Sequence, residues 1–255
     1  MKRDAPRSYR QFCSNYVALC GLVNSKNVMN RQELYQQVGF TGDYYNRTQS
    51  FFLRFFKDTD SMMSFFDRVF ANDSVDKNPR KMMNQIVRWV GLAEDLRKIR
   101  PSNDPLVILC IRSCIESICK YGSAPGDKTT FFEKNLSPEG LSYFGESFEV
   151  LDSGNKGINE SATVVKPDIK NFDELIRRIR NNAVHDGDYW SSQVFVNEES
   201  DGYALGYYVM DDAHRTMTYY ESKIEYGKFI SFFVDAAIRY IDDYVVNRYG
   251  ENMSI

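Results

Sequence analysis

Apolar residues recur at helical spacing along most of this chain. Residues 8–24 place Phe12, Tyr16, Leu19 and Val23 on one face, and a short helix is predicted over Arg31–Val38, closed by Gly39. Two aromatic-dense segments follow: 44–57 with Tyr44, Tyr45, Phe51, Phe52, Phe55 and Phe56, and 61–70 with Met62, Phe65, Phe66 and Phe70. Their three- and four-residue spacing predicts core packing rather than an exposed platform for stacking bases. After a loop at 71–79, Met82, Ile86, Trp89, Val90, Leu92 and Leu96 mark a helix from Lys81 to Ile99.

The run RPSNDP at 100–105 is the candidate domain boundary, because its two prolines frame polar turn residues. Beyond it, 106–120 is apolar around most of its circumference, with Arg112, Glu116 and Lys120 on a narrow polar strip. Such a helix belongs at the centre of a bundle. A Gly/Pro turn at 121–127, helical pieces at 130–135 and 138–150, and a polar loop at 151–161 come next. In 172–186, Phe172, Leu175, Ile176, Ile179 and Ala183 form one stripe, with Pro167 and Asp168 as its start and Gly187 as its stop. The period then changes. Segments 193–197, 203–210 and 217–226 alternate or are rich in Val, Tyr and Thr, with a turn at Ser200-Asp201-Gly202, predicting a small antiparallel sheet of two or three strands. A last helix is predicted over 228–248. The expected fold is therefore mainly α: a helical region at 1–100, then a bundle at 101–255 with a β insertion at about 193–226 before the final helix.

Composition narrows the function classes. The net charge of −3 and pI near 5.6 exclude nucleic-acid binding through bulk charge, so any RNA contact must be a local basic patch. The 5 cysteines (Cys13, Cys20, Cys110, Cys114 and Cys119) lie in apolar runs without a CxxC pair, which predicts buried free thiols in a reducing cytosol rather than disulfides or zinc. No signal-peptide pattern or membrane-length apolar run is read, so a cytoplasmic protein is expected. Phosphate loops, HExxH and GxSxG are absent. Asp211, Asp212 and His214 in DDAHR are expected to form a turn, and no metal site or cofactor is predicted.

The candidate chemistry sits on the polar side of 172–186. Arg177, Arg178, Arg180, Asn181 and Asn182 lead to His185, one of 2 histidines in the chain. Arginine grips phosphate oxygens with a planar fork of donors, and histidine is the side chain that titrates near neutrality. Together they can cleave RNA without metal, because the ribose 2′-hydroxyl is itself the nucleophile. Arg180 and His185 are five residues apart, roughly 140° around an ideal helix. Arg177, Asn181 and His185 share a face instead, so either the arginine reaches around or two helices act together. The other reading of His185 is a helix C-terminal histidine interacting with the macrodipole.

Arg180-Asn181-Asn182-Ala183-Val184-His185 resembles the Arg-x(4–6)-His signature of HEPN-domain ribonucleases, including the polar residue that often follows the arginine. The resemblance implies an all-α up-and-down bundle, RNA as substrate, metal-independent cleavage and a homodimer that joins two copies of the motif. It implies catalytic roles for Arg180 and His185 and a supporting one for Asn181. Arg177, Arg178 and Asn182 are then candidate substrate contacts. Glu116 either orients the catalytic arginine or pairs with Arg112 along its own helix. A stress, toxin–antitoxin or antiviral role, with an antitoxin or defence-system partner protein, is also implied. In one subfamily a tyrosine stands two residues after the histidine; here that position is Gly187. The rival expectation is an inactive HEPN-like module serving as ligand sensor or dimerisation scaffold. An open basic groove at Arg180 and His185 favours the enzyme, whereas burial among apolar neighbours favours the scaffold.

Overall fold

The computed structural model describes residues 30–101, 103–123, 128–152, 163–165, 169–187, 189, 192–196, 203–210 and 215–250. The expected 8–24 helix, the 200–202 turn, Asp211, Asp212 and His214, Cys13, Cys20 and the Pro167–Asp168 start lie outside these residues.

The described chain is mainly helical. Its first element, α1 (Arg31–Gln37), begins with a capping box in which Asn30 accepts the Gln32 N–H and Glu33 accepts the Asn30 N–H. Gly39 follows at φ +70°, a conformation that suits glycine at a helix end. The aromatic segments become α2 (Gly42–Phe52) and α3 (Thr59–Phe70), the latter capped by the Asp58 carboxylate on the Ser61 N–H at 2.7 Å. Phe40, Phe52, Phe65, Phe66 and Phe70 are fully buried, with mostly edge-on or tilted ring pairs at 4.5–6.0 Å. Helix α4 (Asn78–Ile99) starts earlier than the predicted Lys81, because Pro79 sits in its first turn, where a missing N–H costs nothing.

Two long helices organise the rest. One, α5 (Asp104–Tyr121), buries Val107, Ile108, Ile111, Ile115 and Ile118 together with Cys110, Cys114 and Cys119. Burial raises the Cys110 thiol to about 11 and pushes Cys114 well above its usual range. The other, α8 (Ile169–His185), lays its apolar stripe on α5 and ends before Gly187 at φ +65°. Between them come α6 (Phe131–Asn135) and α7 (Pro138–Ser147), the latter capped by Ser137. Helix α9 (Tyr226–Tyr249) packs across α3, α4 and α6. Among the described residues one buried cluster runs from Tyr35 to Val245, continuous across the RPSNDP run.

The β-structure is larger than expected. A four-stranded antiparallel sheet has the order β2–β1–β5–β4, from β1 (Phe148–Asp152), β2 (Thr163–Val165), β4 (Tyr203–Met210) and β5 (Arg215–Ser222). Residues 148–150, expected as helix, and 151–152, expected as loop, are thus strand. Phe148 and Val150 alternate on one face, and β5 supplies a partner that local periodicity cannot reveal. Phe148 stacks on Tyr220 at 5.5 Å with a 14° interplanar angle. The remaining strands, β3 (Phe195–Val196) and β6 (Ile224–Glu225), pair in parallel rather than antiparallel fashion.

One buried carboxylate ties these parts together. Asp104, at the start of α5, accepts the N–H groups of Val194 and Phe195 at 2.7 and 2.9 Å and meets Arg97 at 3.3 Å. The chain leaving the motif helix is thereby pinned beside the helix that α8 packs on. No described helix is long and apolar enough to cross a membrane.

Candidate functional site

The polar strip of α5 and the polar side of α8 face one another across a cleft of about 570 Å³. It is lined by Arg112, Glu116, Cys119 and Lys120 from α5, Lys128 and Thr129 from the segment before α6, and Arg177, Arg180 and Asn181 from α8. Five cations and one carboxylate therefore line a cleft in a chain whose net charge is −3. Lys120, Lys128 and Thr129 are exposed at the rim, whereas Arg112 and Cys119 are buried beneath it.

Arg180 is half-buried and held by two groups. Its Nη1 donates to the Asn181 side-chain oxygen at 3.1 Å, and its Nη2 reaches Glu116 Oε2 at 3.4 Å. Between the two roles open to Glu116, the geometry places it on Arg180, while Arg112 turns elsewhere. Arg112 Nη1 donates to the Lys128 carbonyl at 2.9 Å and lies 3.8 Å from Asp173 on α8. The Nε–H groups of Arg112 and Arg180 are both buried without a hydrogen-bond partner. Burial lowers the Arg112 pKa from its usual value, and the nearby Arg180 charge acts in the same direction, against the pull of Asp173 and Glu116.

The other expected residues divide. Arg177 is exposed at the cleft, with its fork on Glu174 at 2.6 and 2.8 Å. Arg178 also turns to Glu174, at 2.8 Å, and it does not line the cleft. Against the upward push of burial, these two arginines hold Glu174 below the usual glutamate range. Asn182 is half-buried and likewise off the cleft. His185 is the last residue of α8 and is exposed, but it is not part of the cleft lining. The structure thus brings Arg180, Asn181, Arg177 and Glu116 together and leaves His185, Arg178 and Asn182 outside. Among the described residues, no group of three His, Cys, Asp or Glu side chains is placed to hold a metal ion.

Sequence reasoning assigned no site role to Arg112, Lys120, Lys128 or Asp173. The spacing of four along Arg112, Glu116 and Lys120 was the available signal, since a polar strip on an otherwise apolar helix must face something polar. Lys128 stands beyond a turn and gave none.

Asp173 has a measurable consequence. Burial pushes its carboxyl up to about 7, against the pull of Arg112 and of the Phe132 and Glu133 backbone amides. A carboxyl with a raised folded-state pKa contributes stability that is complete below its unfolded value. That contribution is lost as pH rises through the folded value, by on the order of 4 kcal/mol at most. Wild type minus Asp173→Asn, measured by urea unfolding, should therefore fall between about pH 4 and 7. A flat difference curve would show that Asp173 stays ionised.

Comparison with family models, with curated proteins and with solved structures returns no match.

Proposed function

We infer that this chain is a metal-independent endoribonuclease of the HEPN type. The observation that supports the reading is an open, cation-rich cleft at the predicted arginine. There Arg180 is held by Glu116 and Asn181 on the helix that ends at the exposed His185. In the proposed reaction the 2′-hydroxyl oxygen attacks phosphorus and loses its proton to His185 of one copy of the chain. The bond to the 5′ oxygen breaks as that oxygen takes a proton from His185 of the other copy. Arg180, steadied by Asn181, stabilises charge on the phosphate oxygens. The products are a 2′,3′-cyclic phosphate and a 5′-hydroxyl.

Because His185 lies outside the cleft that Arg180 lines, the reading needs a second copy of the chain whose His185 completes the site. A cytoplasmic stress, toxin or antiviral role, with an antitoxin or other defence-system partner, belongs to the same proposal. The test is RNA cleavage in excess EDTA, fractionated by size exclusion. Activity in the chelator should coincide with a dimer peak. Cleavage that EDTA abolishes and magnesium restores, or that resides in a strict monomer, would remove this mechanism.

A second reading is an anion-sensing or scaffold module without catalysis. It is favoured by the placement of His185 outside the cleft lining. Stoichiometric anion binding with intact RNA recovered after long incubation would select it.

A further inference from the structure

We propose that the cleft between α5 and α8 is a receptor for a phosphate dianion, the group carried by a terminal phosphate monoester, and that Glu116 is the internal stand-in which this ligand displaces. The inference rests on the same site as the ribonuclease reading and names the group that the site takes, independently of cleavage.

Four observations lead there. First, the lining cations outnumber the one lining carboxylate, and Lys120 and Lys128 at the rim have no carboxylate partner among the described residues. Second, two buried guanidinium Nε–H donors lack partners, one from each helix, and both belong to arginines that line the cleft. A buried donor left unsatisfied is costly, and an acceptor placed between the two helices would satisfy both. Third, Arg112 and Arg180 lie close enough to act on each other as like charges, and the one lining carboxylate reaches Arg180 only at 3.4 Å. Fourth, Arg112 is fixed from behind by the Lys128 carbonyl and Asp173, so its orientation is set before any ligand arrives.

Charge selects the monoester over a backbone diester. A diester carries one negative charge, so exchanging it for Glu116 leaves the balance of the cleft unchanged. A monoester dianion brings one charge more and can engage arginines from both helices at once. A volume of about 570 Å³ also exceeds what a bare ion fills and suits a phosphate with a nucleoside attached. Two sources carry that chemistry: the 5′-phosphorylated end of an RNA and a free mononucleotide.

The experiment is isothermal titration calorimetry of the full chain in metal-free buffer above pH 7, so that the phosphate probes are dianions. The ligands are inorganic phosphate, adenosine 5′-monophosphate, and a 2′-O-methyl oligonucleotide with and without a 5′-phosphate. The modified oligonucleotide cannot be cleaved through its 2′-hydroxyl. Arg112 is left intact, because removing it strands Asp173. Lys120→Ala and Lys128→Ala change exposed rim residues instead, and each should weaken inorganic phosphate binding roughly tenfold. Glu116→Gln should tighten it by about tenfold, as the competing charge is gone while the shape is kept. A purely structural Glu116–Arg180 pair predicts no gain. Preference for the 5′-phosphorylated oligonucleotide assigns the site to an RNA end, and preference for the mononucleotide assigns it to a small ligand. Either supports the proposal. It is overturned if inorganic phosphate gives no binding at millimolar concentration, if the lysine variants bind as wild type does, or if Glu116→Gln binds more weakly. Phosphate binding without RNA cleavage would leave this inference standing and remove the ribonuclease reading. Cleavage without phosphate binding would do the reverse.

Discussion

Replacing His185 by Ala should lower RNA cleavage by about 10²–10⁴-fold, the usual range for a general acid–base group. The side chain is exposed at the end of α8, so the melting curve should shift by no more than about 0.5 kcal/mol in stability. Arg180→Lys keeps the charge but loses the fork that meets both Glu116 and Asn181, and should also impair cleavage severely. A DNA substrate of the same sequence is the control, since it lacks the 2′-hydroxyl. If His185→Ala melts like wild type and still cleaves RNA at the wild-type rate, the ribonuclease reading is wrong and the scaffold reading replaces it.

The second large effect is on stability. Phe172→Ala should cost about 3–5 kcal/mol in guanidinium unfolding, with little change in the slope of the transition. Phe172 is fully buried and ringed by Phe132 at 5.5 Å, Phe144 at 4.7 Å, Phe148 at 5.7 Å and Phe229 at 6.0 Å. Those rings come from α6, α7, β1 and α9, so a cavity there loosens the motif helix from four elements at once. Ile179→Ala, lower on the same stripe, should cost ~2–5 kcal/mol. A loss below about 1 kcal/mol for Phe172→Ala would mean that the aromatic cluster collapses into the space and that the packing described is not rigid.

The helices were legible because their burial is one-sided and regular. The stripe Phe172, Leu175, Ile176, Ile179 and Ala183 predicts the face that α8 buries, and all five are buried. Asp173 broke that logic. It reads as an early-turn acid suited to the helix dipole, yet it is buried against Arg112, 61 positions earlier in the chain. Only tertiary packing pairs them. The arginines on α8 show the same limit from the other side. Arg177 and Arg178 read as substrate contacts beside a catalytic Arg180, but Glu174 takes the first two, and of these three Arg180 is the one that pairs with α5. Strand β1 escaped notice because its segment is short and its partner β5 lies more than fifty residues downstream, and β2 because its three residues pair only as the edge of β1.

The row of thiols on α5 gives the molecule an internal clock. Cys110 and Cys114 are shielded from solvent and kept protonated by burial, so a thiol-reactive dye must wait for this helix to open. With Cys13 and Cys20 replaced by Ser, the labelling rate of the remaining thiols counts openings of the element that carries Arg112 and Glu116. Where reclosing outruns labelling, that rate measures the opening equilibrium itself. Slower labelling with a ligand present would then show, without any assay of turnover, that occupancy of the cleft is felt through the whole helix.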